Sequence, residues 1–348
     1  MEYIKSKKIA VAMSGGVDSS VCALLLKQKG FDVFGITMKT IPGSKCCSLS
    51  DIKTAKKVAK DLKIKHYVVD LKDIFQKEVI DYFIKESMKG KNPNPCVPCN
   101  RKVKFKALIE EAKKLGAEII ATGHYAILEK ENEIVLKRPV DIKKDQSYVL
   151  SMLPRKVFKD LIFPIGHFTK QEVRKIAKEN NLNVHDKKEN QDLCFLHKPK
   201  GEFIQERIKN KISSGEIINK NGKVVGKHKG YFNYTIGQRK GLQIKDNKKY
   251  YVCDIVPEKN QVIVSKKEDL FLKEFYVSKV NWVSIKNLKK PMEVKVIIRN
   301  KMNPVKAKIF PEEKKVKIVP EKPIWAVSPG QIAVFINKDI VLGGGWIE

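Results

Sequence analysis

The chain has 348 residues, enough for two or three domains, and its apolar content of 42% is ordinary for a protein with a sizeable core. No apolar run reaches the roughly 18 residues of a spanning helix, so no membrane partner is expected. Lysine and arginine total 70 against 39 acidic residues, a net +31 whose field favours polyanions such as nucleic acid. Seven cysteines, and an N-terminus without the apolar core of a signal peptide, point to a cytoplasmic chain without a disulfide framework.

The first predicted strand, Lys8–Met13, runs into Ser14-Gly15-Gly16-Val17-Asp18-Ser19-Ser20, and a helix is predicted over Ser19–Lys29. Paired glycines let backbone N–H groups approach an anion closely, and the helix adds the positive end of its dipole there. Ser14, Ser19 and Ser20 bring hydroxyls, and Asp18 a carboxylate able to hold a metal or orient a phosphate. Neither G-x-x-x-x-G-K-[ST] nor G-x-G-x-x-G is present. Cys22, on the apolar face of this helix, is expected in the core.

Strands predicted at Asp32–Met38, His66–Asp70 and Glu118–Ala121 alternate with helices at Ser50–Leu62, Asp73–Met88 and Lys102–Leu115. The alternation predicts an α/β fold with a doubly wound parallel sheet, whose ligands bind past the carboxyl ends of the strands. The glycine loop, Met38 and Gly123-His124 should converge there. Cys46 and Cys47, after the second strand, read as ordinary thiols. In Asn92-Pro93-Asn94-Pro95-Cys96-Val97-Pro98-Cys99-Asn100, three prolines predict a rigid non-helical loop before a helix starting near Arg101. A Cys-x-x-Cys beside a helix N-terminus and Arg101, Lys102 and Lys104 is expected to have acidified thiols. A zinc site would need two more ligands than this pair supplies. Glu189–Leu196 contributes a third thiol, Cys194. His66, His167, His185, His197 and His228 are scattered and read as structural or surface groups.

After about Gly201 the texture becomes β-rich. Strands are predicted at Tyr250–Pro257, Gln261–Ser265, Phe275–Trp282, Met292–Ile298, Val305–Phe310, Lys315–Val319 and Gln331–Ile336. The expected division is an ATP-binding catalytic domain over 1–200, a small β-rich domain over 201–270 and a C-terminal β-barrel over 271–348, with a weakly marked boundary near Phe271. Cys253, in a strand-like run, reads as core.

The Ser-Gly-Gly-x-Asp-Ser string resembles the PP-loop of the ATP pyrophosphatases, which cleave ATP between the α and β phosphates and activate a carbonyl oxygen as an adenylate. Taken with Asn94–Phe105, Ala121–Tyr125, Lys144–Tyr148, Gln191–Phe195, Phe232–Gly241 and Ser328–Gln331, the chain resembles the bacterial tRNA-specific 2-thiouridylases along nearly its whole length. The resemblance implies 2-thiolation of the wobble uridine in tRNAs for Lys, Glu and Gln, with ATP and Mg²⁺. Ala12, Met13, Ser14, Gly15, Gly16, Val17, Asp18, Ser19, Met38 and Gly123 would bind ATP. Asn94, Pro95 and Cys96 would face the target base. His124, Lys144, Asp145, Gln146, Arg299, Asn300 and Gln331 match tRNA-contacting positions, although Asn300 replaces the family's tyrosine.

Cys99 matches the nucleophile and Cys194 the persulfide carrier. Cys96 stands where better-known members carry aspartate. Cys96, Cys99 and Cys194 thus resemble the three ligands of a 4Fe–4S cluster in related thiolases. The resemblance favours a cluster of that type holding sulfide, with a Cys194 persulfide resolved by Cys99 as the alternative. Either needs a donor such as a cysteine desulfurase or a sulfur relay protein. The rival readings are another PP-loop ligase or thiolase, and a non-catalytic RNA-binding protein.

Overall fold

A computed structural model describes residues 7–41, 48–130, 133–187, 193–209, 211–242, 244 and 248–348. Cys46, Cys47, Gln191 and Asp192 lie outside the described residues. Among the described residues, no helix is long and apolar enough to cross a membrane.

The β-branched runs form the parallel sheet: β1 (Ile9–Ala12), β2 (Val33–Lys39), β3 (His66–Asp70) and β4 (Ile119–Thr122). A short strand, Leu161–Ile162, completes the order β3-β2-β1-β4-Leu161–Ile162. Every pairing is parallel, with Ala12 opposite both Ile36 and Thr122. β1 and β4 are apolar on both faces because helices cover both. One cover is α1 (Val17–Gln28), whose Val17, Val21, Leu24 and Cys22 are buried. Another is α2 (Leu49–Asp61), started by a reciprocal cap between Ser48 and Asp51. The chain leaves β1 toward β2 on one side and returns as β4 on the other. The crevice at their carboxyl ends is therefore the switch point of the sheet.

One expectation fails near the cysteines. The helix predicted from about Arg101 begins at Cys96 and runs through a π-helical stretch, Cys99–Ala107, to Leu108–Lys114. Pro95 supplies the N-cap and Pro98 lies in the first turn, where a proline nitrogen forfeits no helical bond. Pro95 and Pro98 thus begin this helix rather than exclude it, and only Pro93 stays in the non-helical stretch before it. The helix predicted over Asp73–Met88 forms, with a π-helical insert at Gln76–Asp81.

The central region is a four-stranded sheet ordered Tyr251–Val256, Gln261–Ser265, Gly215–Asn219, Val224–His228. The last region is a closed antiparallel barrel of six strands: Phe275–Trp282, Lys315–Pro320, Val305–Pro311, Met292–Ile297, Ile332–Asn337 and Ile340–Ile347. Pairing of the first with the last closes it. Gly343-Gly344-Gly345 lies in the closing strand. A Cβ at Gly343 would stand 2.2 Å from the Asn281 carbonyl oxygen. A hairpin from the first region, Ile127–Glu129 with Val135–Lys137, extends the barrel sheet through Leu136 and Val341. Sequence reading placed no strand there.

Candidate active site

The loop between β1 and α1 sits in the switch-point crevice. Ser14 donates its backbone N–H to the Ser19 hydroxyl, and the two hydroxyls lie 3.3 Å apart. Gly15 has φ +69°, and a Cβ on it would meet the Asp51 carbonyl oxygen at 2.3 Å. Glycine is thus required by both conformation and space. No side chain caps α1 at Gly16, whereas Ser48 caps α2 and Thr169 caps the helix Lys170–Glu179. The first N–H groups of α1 therefore face the crevice with no intrahelical or side-chain acceptor, the arrangement that binds phosphate. Gly123, just past β4, closes the other side. Its Cβ would fall 2.7 Å from the Ser19 nitrogen and the Asp18 carbonyl carbon. Ala12, Met13 and Met38 form the floor, with Met13 and Met38 buried and Thr37 donating to the Met13 carbonyl.

Two lysines that sequence reading missed complete this half. Lys170, only 7% exposed, places its ammonium 2.7 Å from Asp18 Oδ1, and the Tyr125 hydroxyl donates to the same oxygen at 2.8 Å. Lys187 bridges the Gly15 carbonyl at 3.0 Å and the Asp51 carboxylate at 2.6 Å. Burial works to raise the Asp51 carboxyl, but hydrogen bonds from Lys187 and Ser48 outweigh it and hold the group below its ordinary range. Nothing in the local sequence marks either lysine. The Thr169-x-x-Glu172 cap was the one available sign that a helix begins at Lys170.

The cysteine half lies on the first turn of the helix 96–114. The Asn94 side chain accepts from the Cys96 N–H. Cys96 is exposed, while Cys99, three residues on, is turned into the apolar core at 7% exposure. Cys194 is half-buried against that same core beside Phe195, which packs on Phe75, Phe83 and Phe203. Lys200 follows, its ammonium over the Phe83 ring and pushed down to about 8 by burial.

Among the described residues, no three histidine, cysteine, aspartate or glutamate side chains gather as ligands for a metal. Cys96, Cys99 and Cys194, all described, do not make a cluster site. No step is assigned to a cluster.

A buried relay joins the halves. Asn100 donates from Nδ2 to the Cys96 carbonyl at 2.8 Å, and its Oδ1 lies 3.1 Å from His124 Nε2. His124 Nδ1 lies 2.8 Å from the Thr122 hydroxyl at the end of β4. A neutral ring with its proton on Nε2 satisfies the whole chain. Burial, aided by the Lys104 charge, holds the His124 pKa well below its ordinary value. At 7% exposure, His124 is a buried member of this relay.

Of the remaining residues expected at the RNA, Gln331 braces the segment that leads to this turn. Gln331 donates to the Asn92 carbonyl at 2.6 Å, Asn92 donates to the Pro329 carbonyl, and Tyr231 donates to the Met88 carbonyl. The barrel and the central region therefore both grip the segment leading to Cys96. Asp145 takes Arg138 at 2.6 Å and caps Ser147, while Gln146 is exposed and its side-chain oxygen accepts from the Tyr125 N–H. Arg299 is held on the Trp325 carbonyl, and Asn300 is exposed. His66 and His228 are structural, bonded to Thr37 and Asn260.

Three family profiles match in succession: a tRNA methyl transferase HUP domain over residues 7–198, a tRNA methyl transferase PRC-barrel domain over 201–266, and an aminomethyltransferase beta-barrel domain over 272–347. The tRNA-specific 2-thiouridylase MnmA of Clostridium acetobutylicum is 43% identical over 99% of this chain and all of that one. A second such protein, from Clostridium tetani, is 44% identical over 99% of both chains. The chain belongs to the tRNA-specific 2-thiouridylase family. A Clostridium perfringens relative, also 44% identical, spans 98% of both chains, so membership extends from the glycine loop to the barrel.

Proposed function

We propose that this protein is the ATP-dependent enzyme that replaces O2 of the wobble uridine with sulfur in tRNAs for Lys, Glu and Gln, acting in the cytoplasm. The observation that carries the reading is the relay Cys96–Asn100–His124–Thr122, which ties a thiol-bearing turn to the wall of a phosphate cradle. Such a tie is what a reaction joining an α-phosphate to a sulfur donor needs.

MgATP is a substrate in this scheme. The uncapped amides of α1, Ser14 and Ser19 hold its phosphates, with Ala12, Met13, Val17, Met38 and Gly123 around the nucleoside. Asp18, fixed by Lys170 and Tyr125, orients the phosphates with their metal ion. The target base, extruded from the anticodon loop, stands against Asn94, Pro95 and Cys96. Its O2 attacks the α-phosphorus, and pyrophosphate leaves. This converts a poor leaving group into AMP.

The sulfur arrives as a persulfide on Cys194, loaded by a cysteine desulfurase or a relay protein. The Cys99 thiolate attacks Cys194 Sγ, forming a Cys99–Cys194 disulfide and releasing hydrosulfide. Hydrosulfide adds at C2 and expels AMP, and an external thiol then reduces the disulfide. Lys144, Asp145, Gln146, Arg299, Asn300 and Gln331 line or brace the RNA face, and His124 acts behind it.

Mass spectrometry of nucleosides after incubation with ATP, unmodified tRNA and a persulfide donor tests the proposal. Equal yields of 2-thiouridine, AMP and pyrophosphate are expected. ATP-independent thiolation, or no AMP with any tRNA, would refute it.

A further inference from the structure

The seam between the central sheet and the barrel holds a shallow depression of about 680 Å³, remote in the sequence from the glycine loop and the cysteines. We propose that it is a nucleotide subsite, taking one unpaired nucleotide of the tRNA with its base on aromatic rings and its phosphates on lysine and arginine. The proposal rests on the tRNA-binding reading above and extends it from Arg299, which touches this wall, to lining residues that reading does not use.

Three aromatic side chains, Tyr251, Phe271 and Trp325, line the depression together with Arg239, Lys240 and Lys267. No acidic residue lines it among the described residues. Arg239 also lines an adjoining depression with Lys248 and Lys249, so the cationic strip continues. Phe271 is 41% exposed, although it is large and apolar and sits on a two-residue strand opposite Trp325. An isolated exposed phenylalanine is unremarkable, but one beside two further aromatic rings and three cations is not.

The geometry is rigid where stacking needs it. Tyr251 stands perpendicular to Trp325 at 6.2 Å, and the Arg299 guanidinium lies 5.4 Å from the Trp325 ring centroid. Arg299 also donates to the Trp325 carbonyl at 2.6 Å. The indole N–H of Trp325 is buried with no acceptor from the protein, a cost the fold retains on this wall. Flat rings interleaved with cations are the composition that binds single-stranded nucleic acid, because every base has a π-face and every linkage a charge. A net charge of +31 supplies the long-range attraction. An acidic protein would match the cations, but it would have no use for the ring faces.

Filter binding of an unmodified tRNA transcript to the full-length protein decides the matter. Phe271→Ala should weaken binding about five-fold or more, the size of one lost base stack, without changing the salt dependence. Arg239→Ala should weaken it and lower the salt slope by about one. Phe271→Tyr should bind like the wild type and Phe271→Leu like the alanine variant, with melting temperatures confirming that all are folded. Wild-type affinity in Phe271→Ala, or equal affinity in Phe271→Leu and Phe271→Tyr, overturns the inference while leaving the proposed function standing. Unchanged tRNA affinity with slower donor-dependent thiolation would make the seam a protein-docking face and overturns it too. A wild-type protein that binds no tRNA sinks both readings.

Discussion

The glycine loop and the cysteine turn lie on either side of Gly123-His124, yet they are made of different things. The loop is a backbone device: its donors are main-chain N–H groups, and its shape depends on the missing Cβ atoms of Gly15 and Gly123. The cysteine turn is a side-chain device: a proline-started helix leaves Cys96 exposed and Cys99 buried, Asn100 of the same helix holds the Cys96 carbonyl, and Gln331 and Tyr231 hold the segment leading to it. On the proposed function, phosphate recognition is therefore sensitive to any added atom. Sulfur chemistry is sensitive to one atom type in a tolerant scaffold.

The sharpest test of this contrast uses Cys99→Ala and Cys194→Ala. Each should abolish 2-thiouridine in nucleoside mass spectrometry while leaving ATP affinity and the melting curve close to wild type. Surviving thiolation in Cys194→Ala would remove it as the carrier. Gly15→Ala should do the reverse. A positive φ and a clash with the Asp51 carbonyl together cost ~1–3 kcal/mol, and calorimetry should show ATP affinity reduced about ten-fold or more. A Gly15→Ala protein that binds ATP normally would break the contrast.

Between these lies the relay. His124→Ala strands the buried Asn100 and Thr122 groups, at a cost of ~1–3 kcal/mol in denaturant unfolding. The same residue predicts a pH dependence. The His124 pKa is depressed in the folded protein, so below about 6.5 the unfolded chain binds a proton that the folded one does not. Stability should therefore fall as the pH drops from 7 toward 5. His66 and His228, also shifted down by burial, add in the same direction. Melting curves of His124→Gln should show a shallower slope over that range, and an identical slope would exclude His124 as a contributor. The smallest effect concerns iron. Protein purified anaerobically with and without added iron should thiolate equally from a persulfide donor, because Cys96, Cys99 and Cys194 are not gathered as ligands. Iron-dependent activity would show that they regroup.

Much of this was legible in one dimension. The alternation of β-branched runs and amphipathic segments reports the parallel sheet directly, because burial on both faces demands apolar strands. The proline-rich stretch misled because proline is compatible with a first helical turn as well as with a loop, and position alone distinguishes them. The hairpin 127–137 was missed because three-residue strands carry too little pattern, and its partner, Ile340–Ile347, lies some two hundred residues away.

By itself the sequence determined the chemistry on offer: a glycine-rich loop between a strand and a helix, three thiols and a strong positive charge. Tertiary structure decided which of these act together. It set Lys170 and Tyr125 on Asp18 from 152 and 107 residues away, and strung His124 between Thr122 and Asn100. It also turned Cys96 and Cys99 to opposite environments. These are facts of burial and distance, and a buried polar group takes its partners from whatever the fold brings within about 3 Å, not from its neighbours in the chain.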